Sequence, residues 1–194
     1  MKSRTTLRKA IRIRRNDLSQ SMQQKSSQLL VQHLSRHQKV RSAQTIALYL
    51  ANDSELDPMP FIKWCWQQKK QIYLPVLHPF CSGNLLFLLF ENNSPMIRNQ
   101  YGIYEPKLDL SKVCPLNQID VLFTPLVAFD NSGARLGMGG GFYDRTIANW
   151  QRYQVYPIGL AHDCQQVDKI PVEHWDIPLP EIITPTKRYL FNEG

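Results

Sequence analysis

The segment from residue 135 to residue 145, RLGMGGGFYDR, combines four glycines with two arginines, two aromatic residues and one carboxylate. An apolar run over 120–129 precedes it, and Thr146, Ile147 and Trp150 follow it at a spacing that predicts a helix. A strand, a glycine-rich loop and a helix together form a common anion site, because free N–H groups and the helix dipole favour a phosphate. Glycines also let the backbone approach that phosphate closely and adopt positive φ. The order of these elements predicts a nucleotide site.

The charged residues of this segment strengthen that prediction. Arg135 and Arg145 could pair with phosphate oxygens, and Asp144 could hold a divalent metal that bridges them. A glycine turn with a purely geometric role is the alternative. The pattern is not a Walker A loop, and Phe142 stands where a dinucleotide fingerprint requires its third glycine. The residues alone therefore predict phosphate binding and leave the nucleotide open.

The composition is that of a globular protein. With 194 residues, 43% of them hydrophobic and 20% charged, we expect one domain over 1–194. No stretch approaches the roughly 20 apolar residues of a membrane helix, and the basic N-terminus lacks the apolar run of a secretory signal. We therefore expect a cytoplasmic protein, a monomer, with no membrane partner. The four cysteines are scattered, which favours free thiols over disulfides or a zinc site.

The net charge of +7 is concentrated at the N-terminus, where no carboxylate precedes Asp17. Arg4, Arg8 and Arg12 stand one helical turn apart, next to a face formed by Leu7 and Ile11. Charge alone favours a solvated basic helix or an electrostatic arm for nucleic acid. The alternative is an arm that folds over the glycine-rich segment and adds phosphate contacts.

Strands and helices alternate along the rest of the chain. A second helix is predicted from Ser19 or Ser21, either of which can cap it, and another begins near Pro60. Strands are predicted over 45–50, 72–77, 85–90, 121–123, 155–161 and 182–184, with Pro75 marking a strand end or an edge. Residues 91–119 are interpreted as a long loop or a small excursion. The alternation predicts a three-layer α/β/α fold, Rossmann-like, with a mostly parallel central sheet.

Glu55 follows the first predicted strand at the carboxyl edge of that sheet, where α/β proteins bind ligands. With these residues in view, the chain resembles the 5-formyltetrahydrofolate cyclo-ligase (methenyltetrahydrofolate synthetase) family. The resemblance rests on Arg135-Leu136-Gly137-x-Gly139-x-Gly141-Phe142-Tyr143-Asp144, on Leu7-Arg8, on Leu50…Glu55 and on Gln166…Ile170-Pro171…Trp175-Asp176. It spans nearly the whole chain in the order of the family's motifs.

The resemblance implies an enzyme that uses ATP and Mg2+ to convert 5-formyltetrahydrofolate into 5,10-methenyltetrahydrofolate, with no nucleic-acid partner. It implies ATP contacts at Arg4, Arg8, Arg135, Leu136, Gly137, Met138, Gly139, Gly140, Gly141, Phe142 and Tyr143. It implies folate contacts at Leu50, Glu55 and Phe142, and Mg2+ ligands at Asp144 and Asp176. Arg135, Tyr143 and Asp144 are the implied catalytic residues. The alternatives are an ATP-binding paralogue for another pterin-like substrate and a basic nucleic-acid-binding protein.

Overall fold

A computed structural model describes residues 3–191 as an eight-stranded sheet with helices on both faces and two small hairpins. The helices are α1 Arg4–Asn16, α2 Gln20–Arg36, α3 Gln38–Ser42, α4 Met59–Gln67, α5 Phe142–Ile147 and α6 Trp150–Tyr153. The strands are β1 Thr45–Ala47, β2 Gln71–Leu77, β3 Leu85–Leu89, β4 Met96–Arg98, β5 Tyr104–Pro106, β6 Val113–Cys114, β7 Val121–Pro125, β8 Ala128–Phe129, β9 Arg135–Leu136, β10 Tyr156–Leu160, β11 Glu181–Ile183 and β12 Arg188–Leu190.

The main sheet has the strand order β12-β11-β10-β7-β1-β2-β3-β6. Its five central strands, from β11 to β2, are parallel, and β12, β3 and β6 pair antiparallel at the two sides. The prediction of a mostly parallel sheet is confirmed. The chain leaves β1 toward β2 on one side, while β7 lies on the other, so the carboxyl ends of β1 and β7 flank a crevice of the kind that binds ligands in open α/β sheets.

Alternate residues of the central strands face opposite layers, as the two-residue period of a strand requires. On one face, Ile46 and Phe123 pack with Leu34 of α2 and Phe61 of α4. On the other face, Ala47 and Leu122 belong to a cluster with Ile147 of α5. These two apolar layers hold the helices on the sheet and give the three-layer architecture.

Helix α1 packs on the β8–β9 hairpin rather than on the main sheet. Leu7 and Ile11 are buried against Ala128 of β8 and Leu136 of β9. Ser3 caps the helix by accepting a hydrogen bond from the Thr6 N–H at 3.2 Å. The apolar face of α1 thereby fixes its arginines beside the segment that follows β9.

Two further expectations concern Pro75 and the segment 91–119. Pro75 lies inside β2 and pairs with β3, so the prediction of a strand end was wrong, but on the side of β1 the pairing has already ended at Tyr73 and the strand is locally an edge. The Tyr73 carbonyl faces β1, so the nitrogen of Pro75, two residues further on, faces the same side. The last pair between β1 and β2 is Ala47 with Tyr73, so no β1 residue needs an N–H donor from position 75, and proline is tolerated there. The segment 91–119 contains the β4–β5 hairpin and β6, so it is a small excursion with structure of its own.

Within residues 3–191, no helix is long and apolar enough to cross a membrane. Ser19 caps α2, as predicted, by accepting a hydrogen bond from the Met22 N–H at 3.3 Å. The four cysteines are free thiols, and Cys65 and Cys114 among them are buried.

Candidate active site

The glycine loop, residues 137–141, connects β9 to α5 at the carboxyl edge of the sheet. Gly139 has φ 112° and Gly141 has φ 65°, both in the region that favours glycine. Gly141 is also the residue that precedes the first turn of α5. The predicted order of a strand, a glycine-rich loop and a helix is therefore confirmed, and the loop separates two neighbouring depressions.

The first depression, the apolar cavity, has a volume of about 430 Å³ and lies at the carboxyl ends of β1, β2 and β7. Apolar side chains and the glycine loop form most of its wall, and Glu55, Glu105 and Asp144 add carboxylates. The predicted residues that line it are Leu50, Glu55, Arg135, Gly137, Met138, Gly140, Gly141, Phe142, Tyr143 and Asp144. The structure thus brings Leu50 and Glu55 together with the glycine loop, although 80 or more residues separate them in sequence.

Glu55 lies in the turn that follows β1. Its N–H donates to the Asn52 carbonyl at 3.0 Å, and its Oε2 accepts from the Asn52 N–H at 3.1 Å. Burial raises the pKa of Glu55 to about 7, and the Asn52 hydrogen bond and the charge of Arg15 offset only part of that effect. A carboxyl group with this pKa is partly protonated near neutral pH, so its acceptor capacity depends on pH.

The second depression, the charged cleft, has a volume of about 170 Å³ and lies on the other side of the glycine loop. Its wall comes from both ends of the chain. The residues that line it are Arg4, Arg8, Gly137, Gly139, Gly141, Asp144, Glu173, Trp175 and Asp176. Gly137, Gly141 and Asp144 line both depressions, so the two form adjacent compartments.

Ion pairs organise the charged cleft. The Arg4 guanidinium donates to both oxygens of Asp176, with Nη2 at 3.0 Å from Oδ1. Burial favours the neutral carboxyl of Asp176, but the hydrogen bonds from Arg4 and the Glu173 N–H, together with the charges of Arg4 and Arg135, outweigh burial and lower its pKa. Arg8 Nε donates to the Gly137 carbonyl at 2.9 Å. The basic arm therefore lies against the glycine loop, as the second interpretation of the N-terminus predicted.

A second ion pair joins the two depressions. Arg135 Nη2 lies 2.6 Å from Asp144 Oδ1, and only 2% of the Arg135 side chain is exposed. Burial lowers the pKa of Arg135, and the Asp144 charge partly restores it. The Ile177 N–H also donates to Asp144 Oδ1, at 3.3 Å. Asp144 thus connects the glycine loop to the segment that carries Asp176.

The hydroxyl of Tyr143 is buried without a hydrogen-bond partner among residues 3–191. Burial raises its pKa, and the nearby Glu55 charge adds to the effect, so Tyr143 stays protonated. A buried hydroxyl without a partner is costly, and a bound molecule in the apolar cavity would remove that cost.

Two residues of the predicted segment have other surroundings. Leu136 is fully buried beneath α1 and lines neither depression. Arg145 donates to the carbonyls of Gly83 at 2.6 Å and Gly140 at 2.5 Å, so its guanidinium braces the loop from outside.

Sequence reasoning missed one wall of the apolar cavity. The β4–β5 hairpin contributes Asn99, Tyr101, Ile103, Tyr104 and Glu105. Tyr101 packs edge-to-face on Phe142 with ring centroids 6.1 Å apart. The signal available in the sequence was a pair of tyrosines, Tyr101 and Tyr104, within the otherwise polar run 91–119. Both are exposed in the structure.

A comparison with known families identifies the chain. Residues 1–185 match the family model described as the 5-formyltetrahydrofolate cyclo-ligase family. The chain belongs to this family. The resemblance to this family that was noted from the sequence is confirmed, and so is the prediction that the protein is a ligase.

Relatives and solved structures agree. A 5-formyltetrahydrofolate cyclo-ligase of Escherichia coli K12 is 53% identical over 177 residues, which cover 91% of this chain and 97% of the relative. One of Haemophilus influenzae is 50% identical, covering 93% and 96%. The NMR structure of 5,10-methenyltetrahydrofolate synthetase from Aquifex aeolicus has a TM-score of 0.83 at 25% identity, covering 98% of this chain and 94% of that one. The enzyme of that name from Mycoplasma pneumoniae has a TM-score of 0.75 at 26% identity, covering 95% and 99%.

Family membership leaves the individual roles of the predicted site residues as predictions. The cytoplasmic location and the monomeric state also stay predictions.

Proposed function

We propose that this protein catalyses the ATP-dependent cyclisation of 5-formyltetrahydrofolate to 5,10-methenyltetrahydrofolate, with ADP and phosphate as the other products. One observation carries the proposal. In a member of this ligase family, a mostly apolar cavity that has the Glu55 carboxyl group in its wall shares part of the glycine loop and Asp144 with an arginine-lined cleft. The ring faces of a pterin suit the apolar walls of the cavity, its N–H groups suit the Glu55 carboxylate, and a polyphosphate suits the cleft.

The reaction needs an activated oxygen, because a formamide oxygen is a poor leaving group. Transfer of the γ-phosphoryl group to that oxygen gives an iminium phosphate and ADP. N10 then attacks the carbon and loses its proton to solvent, and phosphate departs to leave the methenyl bridge. Both steps depend on positioning and on charge neutralisation, and ring closure benefits from proximity. No covalent bond to the protein is required. Adjacent compartments that meet at Gly141 and Asp144 allow the γ-phosphate and the formyl oxygen to approach each other.

Arg4, Arg8 and Arg135 are the proposed contacts for phosphate oxygens. Arg4 and Arg8 line the charged cleft, while Arg135 lines the apolar cavity beside Asp144. The N–H groups of the first turn of α5 have no partners within the helix and are available to the same anion.

Glu55 is the proposed acceptor for pterin N–H groups, and Leu50 and Phe142 supply apolar contact in the same cavity. Tyr143 offers its unpartnered hydroxyl as a donor. These roles divide the substrates between the two compartments.

Asp144 and Asp176 fit a magnesium ion that would take some of its ligands from the protein and the others from ATP. Both carboxylates line the charged cleft, and Mg2+ commonly takes one or two carboxylates together with phosphate oxygens and water. Among residues 3–191, no group of three or more carboxylate, imidazole or thiolate side chains converges as a metal site. A metal held here would therefore depend on the nucleotide for further ligands, and when bound it would neutralise charge on the phosphates.

The test is to mix the protein with 5-formyltetrahydrofolate and Mg2+, with and without ATP, and to follow the absorbance band of methenyltetrahydrofolate. An increase that requires ATP is the expected result. ATP binding without any increase would reject the proposed substrate and favour a paralogue that acts on another pterin-like molecule.

A further inference from the structure

Arg15, at the C-terminal end of α1, is a fully buried arginine outside both depressions. Its Nη2 donates to Asp53 Oδ2 at 2.7 Å and to the Asp53 backbone carbonyl at 2.5 Å. Its Nε and Nη1 are buried without partners among the described residues. Because a buried ion pair seldom stabilises a fold more than apolar packing of the same volume, this arrangement indicates a role other than general stability.

The element that Arg15 holds is the turn between β1 and Glu55. Asp53 has φ 51° and Ser54 has φ 57°, so two consecutive non-glycine residues adopt the left-handed conformation. That conformation is unfavourable for L-residues and persists only where surrounding contacts impose it. Hydrogen bonds within the turn join only Asn52 and Glu55.

Contacts from α1 hold this turn from outside. Arg12 donates from the surface to both Asp53 oxygens, at 2.7 and 3.1 Å, with 49% of its side chain exposed. Arg15 approaches the same carboxylate from the interior and also binds the backbone. Exposed ion pairs contribute little, so the interior contact is the stronger constraint.

We infer that Arg15 is a positioning residue that acts through Asp53: it fixes the left-handed turn so that the Glu55 carboxylate faces the apolar cavity. This assignment rests on the proposed function, in which Glu55 binds the folate. Arg15 itself lines neither depression, so it does not act by touching a substrate.

The nucleotide side has separate anchors. Leu7 and Ile11 bury the first half of α1 against the β8–β9 hairpin, and Arg4 and Arg8 bind Asp176 and Gly137. Loss of the Arg15 contact should therefore make the turn that carries Glu55 more mobile, while the contacts that form the charged cleft remain in place.

The test compares Arg15→Met, Arg15→Lys and the matched control Arg12→Met, which removes a surface contact to the same carboxylate. For Arg15→Met we expect the KM for 5-formyltetrahydrofolate to rise about tenfold, with the KM for ATP within about twofold of wild type. Arg15→Lys should raise the folate KM less than Arg15→Met, because the lysine ammonium keeps the positive charge and can still donate to Asp53, although its side chain has a different shape. Arg12→Met should leave both KM values within about twofold.

Amide hydrogen exchange at residues 52–56 gives a readout that needs no turnover. Exchange there should accelerate about tenfold in Arg15→Met, and amides of the glycine loop should be unchanged. If Arg15→Met does not fold, Asp53→Asn weakens the same contact from the less buried partner, whose side chain is 17% exposed, and should raise the folate KM selectively.

A lower melting temperature with unchanged folate KM and unchanged exchange would overturn the inference and leave Arg15 a structural residue. Equal increases in both KM values would also overturn it. Failure of the wild-type protein to form the methenyl product would instead reject the proposed function, while the exchange measurement would still decide the positioning role.

Discussion

The apolar cavity and the charged cleft share the glycine loop but are built in different ways. The backbone sets the shape of the cavity, since the ends of β1, β2 and β7 frame it, and apolar side chains line it. β1 stops at Ala47 while β2 continues through Pro75, so the open space follows from the lengths of the strands. The cleft has side-chain walls, held by the pairs Arg4–Asp176 and Arg135–Asp144 at its margins.

The cavity is therefore defined by its shape, and the cleft is defined by its charges. The cavity exists as a preformed volume, as apolar ligand sites usually do. At the cleft, two of the three arginines proposed to bind phosphate, Arg4 and Arg135, are paired with the two carboxylates proposed to bind metal. ATP with its metal can replace both sets of partners at once, arginine to phosphate and carboxylate to metal, which conserves the number of charge-assisted contacts.

The largest expected effect lies where the two regions meet. Asp144→Asn should lower kcat about a thousandfold or more, because the variant loses the charge proposed to hold the metal. Asparagine retains an oxygen that can accept from Arg135, whose nearly buried guanidinium would otherwise lose its partner. The measurement is ATP-dependent formation of the methenyl product, together with the melting temperature. Asp144→Ala would abolish turnover as well but would leave that buried charge unpaired.

The matched control for that variant is Asp109→Asn, which changes a carboxylate that lines neither depression. It should retain wild-type kcat. Turnover near the wild-type rate in Asp144→Asn would contradict the metal assignment and would place the metal with ATP alone.

A smaller effect tests the cavity through pH. With a pKa of about 7, Glu55 passes from mostly ionised at about pH 8 to mostly protonated at about pH 6. If the carboxylate accepts from the pterin, kcat/KM for the folate should fall about tenfold as the pH decreases over that interval, because kcat/KM follows ionisation of the free enzyme. His162, whose pKa burial lowers to about 4, does not titrate there.

Glu55→Gln is the control for this pH profile, because it removes the titrating group and should remove the associated step. Glu55→Ala should raise the folate KM more than the ATP KM. A wild-type pH step that survives in Glu55→Gln, or equal changes in both KM values, would assign the effect to another group.

The smallest expected effect distinguishes the cleft from the cavity. Asp176→Asn should raise the KM for ATP about fivefold and leave the folate KM unchanged, because a carboxamide holds Arg4 and a metal less strongly. Kinetics at several Mg2+ concentrations are the measurement. Glu173→Gln alters an exposed carboxylate in the same cleft and should have a smaller effect. An unaltered ATP KM at limiting Mg2+ would remove Asp176 from the proposed metal ligands.

The cavity was largely predictable from the sequence, since its position follows from rules for parallel sheets. Apolar runs located β1, β2 and β7, and the carboxyl-edge rule placed Glu55 beside the glycine loop. The Tyr101 wall was not predictable, because its hairpin arises from short strands within a polar segment and is held by contact with Phe142.

The cleft was predictable mainly through resemblance. Periodicity put Arg4 and Arg8 on one side of a helix, but charge alone favoured solvent or nucleic acid as their partner. What decides their position is the burial of Leu7 and Ile11 on the β8–β9 hairpin, a tertiary contact that local sequence does not encode. The Arg15 contact was missed for the same reason, because Asp53 lies 38 positions away.

The Arg4–Asp176 pair joins residues 172 positions apart, and it also determines when the cleft can form. During synthesis the ribosome must deliver residue 176 before the N-terminal arginine meets its partner, whereas the residues that line the apolar cavity all lie at or before residue 144. Contacts with such long sequence separation carry a large loop-closure cost and form late. A nascent chain stalled before residue 171 therefore contains every residue that lines the apolar cavity but lacks the partner of Arg4, so the charged cleft is the later of the two depressions to gain its walls.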